Sequence, residues 1–139
     1  MKHPKHAHRG SALIEFAGSL ILLFGVFVGI FQIGYTFFAY NTLVNAVRAA
    51  ARYASLQQMN AGLPKTVKNM VVYGDLAPAA NAKPIVPGLT TDHVNLTLGP
   101  ATATVSIRGF KLDSLFSQVR LDGRPSITFP LTGGANETK

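Results

Sequence analysis

Apolar residues run almost unbroken from Leu13 to Tyr40, with Glu15 and Gln32 the only strongly polar side chains inside the run. The stretch from Phe16 to Tyr35 suffices to cross a bilayer, since about 20 apolar residues at roughly 1.5 Å rise cover about 30 Å. It holds no proline, so nothing in it forces a break. Past Tyr40 the period stays helical and the pattern turns amphipathic. Asn41, Asn45, Arg48 and Arg52 fall on one narrow face, and Leu43, Val47, Ala50 and Ala54 on the opposite one. Ala49-Ala50-Ala51 adds helix propensity, and Gly62 and Pro64 punctuate the end. The pattern predicts one helix from about Ser11 to about Gln58, on the order of 70 Å long. Its amphipathic part suits two packings: against the chain's own domain, or against neighbouring copies and related subunits.

Beyond Pro64 the periods are shorter. Val67, Met70 and Val71 make a short helical face that Gly74 closes. Residues 75–92 are rich in Pro, Ala and Asn and read as a loop. Residues 94–98 and 103–108 alternate with period two around Gly99-Pro100, the pattern of a hairpin. Leu112, Leu115, Phe116 and Val119, spaced three, one and three apart, read as a helical stripe. Residues 127–129 alternate again, and Pro130 places that third strand at an edge or end. The expected fold is α+β: a long N-terminal helix, then a small domain of about three antiparallel strands with one or two short helices. The expected divisions are 1–10, 11–60 and 61–139.

Composition sharpens this. The chain has 139 residues, 47% of them hydrophobic, and a formal net charge of +7. Lys2, Lys5 and Arg9 stand in residues 1–9 with no acid, whereas later basic residues are scattered singly. A basic head beside an apolar span is held in the cytoplasm by the positive-inside rule, which puts residues 61–139 outside. No Lys/Arg run carries interleaved aromatics, so nucleic acid is not an expected partner. The absence of cysteine removes disulfides, lipoprotein anchoring and thiol chemistry together. A secretory signal has an apolar core of roughly 7–15 residues and a small-residue cleavage site. The run here is longer and no such site follows it, so a signal anchor fits better.

Glu15 is the chemical oddity of the apolar run. It stands four residues after Ser11, near the cytoplasmic edge, where a carboxylate can snorkel to the headgroups or be protonated. A cut after Gly10 would instead expose an ammonium on Ser11, and Glu15 of an adjacent copy could neutralise it as a desolvated ion pair.

Arg9-Gly10-Ser11-Ala12-Leu13-Ile14-Glu15-Phe16 resembles the prepilin-peptidase site of type IVb pilins: glycine, four residues, then Glu followed by an aromatic. The segments GSALIEFAGSLILLFGVFVGIFQIGY, YNTLVNAVRAAARYA, VKNMVVYG and VPGLTT look like the TadE-like family, minor pilins or pseudopilins of the tight-adherence (Flp-type) pilus machinery. The likeness covers roughly residues 9–110 and is strongest up to Tyr73; residues from Lys111 onward carry no motif of that kind. It implies a precursor processed in the bacterial inner membrane. Its partners would be prepilin peptidase, other pilin and pseudopilin subunits and the pilus assembly platform, and its role would lie in adhesion and biofilm formation. Gly10 and Ser11 would flank the scissile bond, with Glu15 and Phe16 completing the site and Glu15 governing processing or assembly.

Gly25 and Gly29 form a G-x-x-x-G, and Gly18 lies nearly on the same face; small residues let helix backbones approach closely, though a glycine-rich segment can show the pattern by chance. Gln32 can hydrogen-bond across helices or sit near the outer interface. His3, His6 and His8 suggest metal by composition, but leader residues rarely preorganise ligands, so no metal and no cofactor are expected. Asp92-His93 pairs an acid with a histidine without an organised nucleophile and reads as a loop or strand-edge pair, not a catalytic one. Asn95-Leu96-Thr97 and Asn136-Glu137-Thr138 match the glycosylation sequon and read as coincidence in a bacterial chain. The expectation is a structural and assembly protein, not an enzyme. The alternatives are an uncleaved, signal-anchored exported binding domain and, last, an exported enzyme.

Overall fold

The computed structural model describes residues 9–57, 60–113 and 118–132. Lys2, Lys5, His3, His6, His8, the Arg9 side chain, Leu115, Phe116 and the sequon at Asn136 lie outside what it describes. Helix α1 runs from Arg9 to Leu56 as one element, as the proline-free apolar run and the alanine-rich stretch after it require. It starts two residues before Ser11. By contact density the chain forms two compact units, one ending at Tyr35 and one beginning at Thr36.

The first unit is the apolar part of α1. Its most apolar window is 0% buried by the rest of the chain. Phe16, Ile21, Phe24, Phe27 and Phe31 are all more than half exposed. A water-soluble surface does not carry that much contiguous apolar area. One helix is therefore long and apolar enough to cross a membrane. Ser19 sits in it without an unsatisfied hydroxyl, because its Oγ donates to the Glu15 carbonyl at 2.8 Å.

The second unit is α+β. The outer part of α1 turns Leu43, Val47, Ala50, Ala51 and Ala54 inward, all fully buried, while Asn41, Asn45, Arg48 and Arg52 face solvent. Of the two packings open to this amphipathic stretch, its apolar face is filled by the chain's own domain. Burial of each Leu or Val there stabilises the unit by about 1.5–3 kcal/mol. Helix α2, Leu63–Tyr73, adds Val67, Val71 and Val72 to the same core. Pro64 lies in its first turn. It ends where Gly74 adopts a left-handed φ of 73° and donates its N–H to the Met70 carbonyl at 3.0 Å.

Strands β1 (Val94–Leu98) and β2 (Thr102–Ile107) form the hairpin that the alternation predicts. Strand β5 (Ser126–Pro130) pairs with β2 to complete a three-stranded antiparallel sheet ordered β1-β2-β5, at whose edge β5 lies. The register aligns Leu96, Val105 and Ile127 in a row toward the core and Thr97, Thr104 and Thr128 in a row on the other face. Thr132 closes the unit: its N–H donates to the carbonyl of Ser55, in the last turn of α1, at 3.1 Å.

Of the stripe at Leu112, Leu115, Phe116 and Val119, the two described residues, Leu112 and Val119, lie on strands and not on a helix. Strands β3 (Phe110–Asp113) and β4 (Gln118–Leu121) pair there as a separate two-stranded sheet, so the described residues of the unit form five strands where about three were expected. Phe110 and Leu112 point into the core while Lys111 and Asp113 point out, a period of two that outweighs the three-one-three spacing. Between α2 and β1, residues 74–93 lack regular structure apart from a single 3-10 turn at Thr91–His93.

Candidate functional site

The N-terminal end of α1 holds the residues singled out from the sequence. Gly10, Ser11, Glu15 and Phe16 all lie within its first turns and are exposed. Ser11 Oγ donates to Glu15 Oε1 at 3.4 Å, a long contact one turn apart on the same face. Glu15 takes part in no ion pair among the described residues. A Cβ on Gly10 would meet nothing within 4 Å, so nothing in the chain itself demands glycine there.

The same holds deeper in the helix. Gly18, Gly25 and Gly29 lie within about 40° of one another around the axis at roughly 100° per residue, and a Cβ on any of them would enter open space. Gly34 is equally open but lies on the other side of the helix. Glycine inside a helix costs about 1 kcal/mol relative to alanine, and no contact within the chain offsets that cost.

The remaining candidates have structural roles. His93 Nδ1 accepts the Thr90 backbone N–H at 3.2 Å and lies 3.0 Å from Thr90 Oγ1, and its ring meets Phe110 edge-on at 5.4 Å. It caps a turn. Asp92 beside it is exposed and makes no described pair with it. No group of three or more His, Cys, Asp or Glu fit to hold a metal occurs among the described residues. An open groove of about 570 Å³ lies between α2 and residues 76–82, with Lys65 its only charged lining residue. The sequence reading missed a cationic surface on β3 and β4, where Lys111 stands directly opposite Arg120; the alternation of residues 110–113 was the signal that could have found it.

These observations define a class: a chain with one N-terminal helix able to cross a membrane, continuous with an α+β unit. The family model described as TadE-like protein matches residues 10–52. That span lies entirely within α1 and takes in Gly10, Glu15, the glycine face and the amphipathic stretch through Arg52. The likenesses at VKNMVVYG and VPGLTT lie outside the matched residues. No curated protein and no solved structure matches the chain.

Proposed function

We propose that the chain is a minor pilin-like (pseudopilin) subunit in biogenesis of a tight-adherence pilus, supporting surface adhesion and biofilm formation. The observation that carries this reading is the TadE-like match, which begins at Gly10 and covers the membrane helix. The geometry supports it. A glycine with no internal reason to be glycine, five residues before an exposed carboxylate and an aromatic, suits recognition by a peptidase from outside the chain. Gly10 and Ser11 flank the bond that prepilin peptidase cuts, and Glu15 and Phe16 complete the motif. The chain sits in the bacterial inner membrane with residues 1–10 cytoplasmic and the α+β unit periplasmic. Its partners are the peptidase, other pilin and pseudopilin subunits and the assembly platform. It works as an assembly protein, without catalysis, cofactor or nucleic acid.

The mass of the mature N-terminus tests this. In cells with active prepilin peptidase the protein should begin at Ser11, and Gly10→Phe should accumulate as precursor in the membrane. A wild-type protein that keeps Met1 or Lys2 under those conditions overturns the pilin reading and leaves the signal-anchored binding domain. Co-purification with sheared pili then separates a filament subunit from one that stays at the platform.

A further inference from the structure

Strand β5 is an edge of the three-stranded sheet, and its register with β2 fixes which backbone groups it leaves unpaired. Leu131 donates to the Ala101 carbonyl at 2.9 Å and Ile107 to the Pro125 carbonyl at 3.1 Å. In an antiparallel ladder directly bonded pairs alternate with unbonded ones, so Ala103 with Phe129 and Val105 with Ile127 are the bonded pairs between them. The N–H and C=O groups of Ser126 and Thr128, and the C=O of Pro130, therefore point away from β2. No backbone bond from another described residue takes them.

The side chains at this edge are left incomplete as well. Ile127 and Phe129 pack on the core and are only half-buried, whereas Ser126, Thr128 and Pro130 are exposed on the other face. Residues 125–132 carry no charge. Natural sheets blunt their edges with charges, bulges or proline; within β5 only Pro130 does so, and at one end. The opposite edge is different, because α2 packs against β1.

A second β5 laid antiparallel about Thr128 fits this edge. Thr128 then faces its own copy and the two exchange a pair of N–H···O bonds. Each Ser126 N–H meets the Pro130 carbonyl of the other copy, so the missing proline N–H leaves only one Ser126 carbonyl unbonded at each end. On the core face Ile127 comes opposite Phe129 of the other copy, and does so twice, a β-branched and aromatic pairing that stabilises adjacent strands. On the outer face the row Thr97, Thr104 and Thr128 runs on into the same row of the other copy. No like charges meet anywhere along the strand. An uncharged edge has nothing with which to select a charged partner, whereas its own copy matches it in length, polarity and register.

We propose that β5 is an interface between two copies of this chain, paired about a two-fold axis at Thr128 so that their three-stranded sheets join into one. The inference rests on the α+β unit alone and stands independently of the pilin reading.

The chain has no cysteine, so Thr128→Cys in the full chain, purified in detergent, places a single thiol on the axis. A directly bonded antiparallel pair holds its Cα atoms about 5.5 Å apart, within the roughly 4.4–6.8 Å that a disulfide bridges. Mild oxidation should give a covalent dimer. Thr97→Cys, about 24 Å from its copy at about 4.8 Å per strand, should not. Thr128→Lys and Thr128→Glu should each raise the dimer dissociation constant about fivefold in sedimentation, because like charges then face each other. Mixing the two variants should restore association, with Tm of each confirming that the exposed position leaves the fold intact. Failure of Thr128→Cys to cross-link, equal cross-linking at position 97, or no recovery in the mixture overturns the proposal. So does protection of the β5 amides from hydrogen exchange that appears only when a different protein is added.

Discussion

Glu15 and Gly74 show the two ways a single residue acts in this chain. Glu15 is exposed and held within its own helix only by the long Ser11 contact at 3.4 Å. If the amine released on Ser11 meets Glu15 of a neighbour, neutralising the carboxylate leaves a desolvated ammonium unpaired. Glu15→Ala and Glu15→Gln should then insert and be cleaved normally, yet yield few pili and little subunit cross-linking, with Glu15→Asp intermediate. Cleavage is verified by mass before pilus yield is compared; full piliation of a cleaved Glu15→Ala protein would mean that the carboxylate merely snorkels. Gly74 acts through conformation alone. Its φ of 73° is the left-handed region, and an added Cβ would touch Ile85 at an ordinary 3.5 Å. Gly74→Ala should therefore cost roughly 1–2 kcal/mol, seen as a drop of several degrees in Tm, while Gly74→Asn loses less.

Among the elements, α1 was the most legible. Its long apolar run and the split between Leu43, Val47, Ala50, Ala54 and Asn41, Asn45, Arg48, Arg52 reappear as a continuous helix with a buried outer face. A period that repeats over many turns leaves little room for another reading. The β3–β4 pairing was not legible, because strands of four residues leave the alternation few inward positions: Phe110 and Leu112 on β3, and Leu121 alone on β4. A three-one-three spacing arises easily in so short a stretch. The glycine face of α1 also makes a prediction at this scale. Gly25→Leu with Gly29→Leu should leave Tm of the α+β unit unchanged, since neither position contacts the rest of the chain. It should abolish cross-linking between membrane helices if close backbone approach is their purpose. Undiminished cross-linking would assign those glycines no packing role.

For the whole molecule the decisive property is sidedness. Lys2, Lys5 and Arg9 precede the span, so they should remain cytoplasmic and the α+β unit should be exported. A periplasm-active reporter fused after Lys139 should be active, and one fused close to Met1 should not; the reverse pattern would overturn the topology and the pilin reading with it. Arg48 and Arg52 stay exposed on the helix face opposite the core, which leaves those charges available for contacts beyond the chain.

The sequence by itself determined the membrane helix, its amphipathic extension, the short helix ended by Gly74 and the central hairpin. Each is written in a local period or a turn residue, and local rules suffice to read it. The Gly10–Glu15 motif is likewise contiguous in the sequence, and its role rests on the processing and piliation measurements above. Only the tertiary structure decided which partner fills the buried face of α1, that Thr132 closes onto Ser55, and that residues 110–113 pair with residues 118–121 as strands. It also decided that Lys111 faces Arg120 and that Arg108 adjoins Arg124. Along the chain those cations are scattered singly among apolar and polar residues; strand register and a chain reversal bring them together, and neither is encoded in spacing alone.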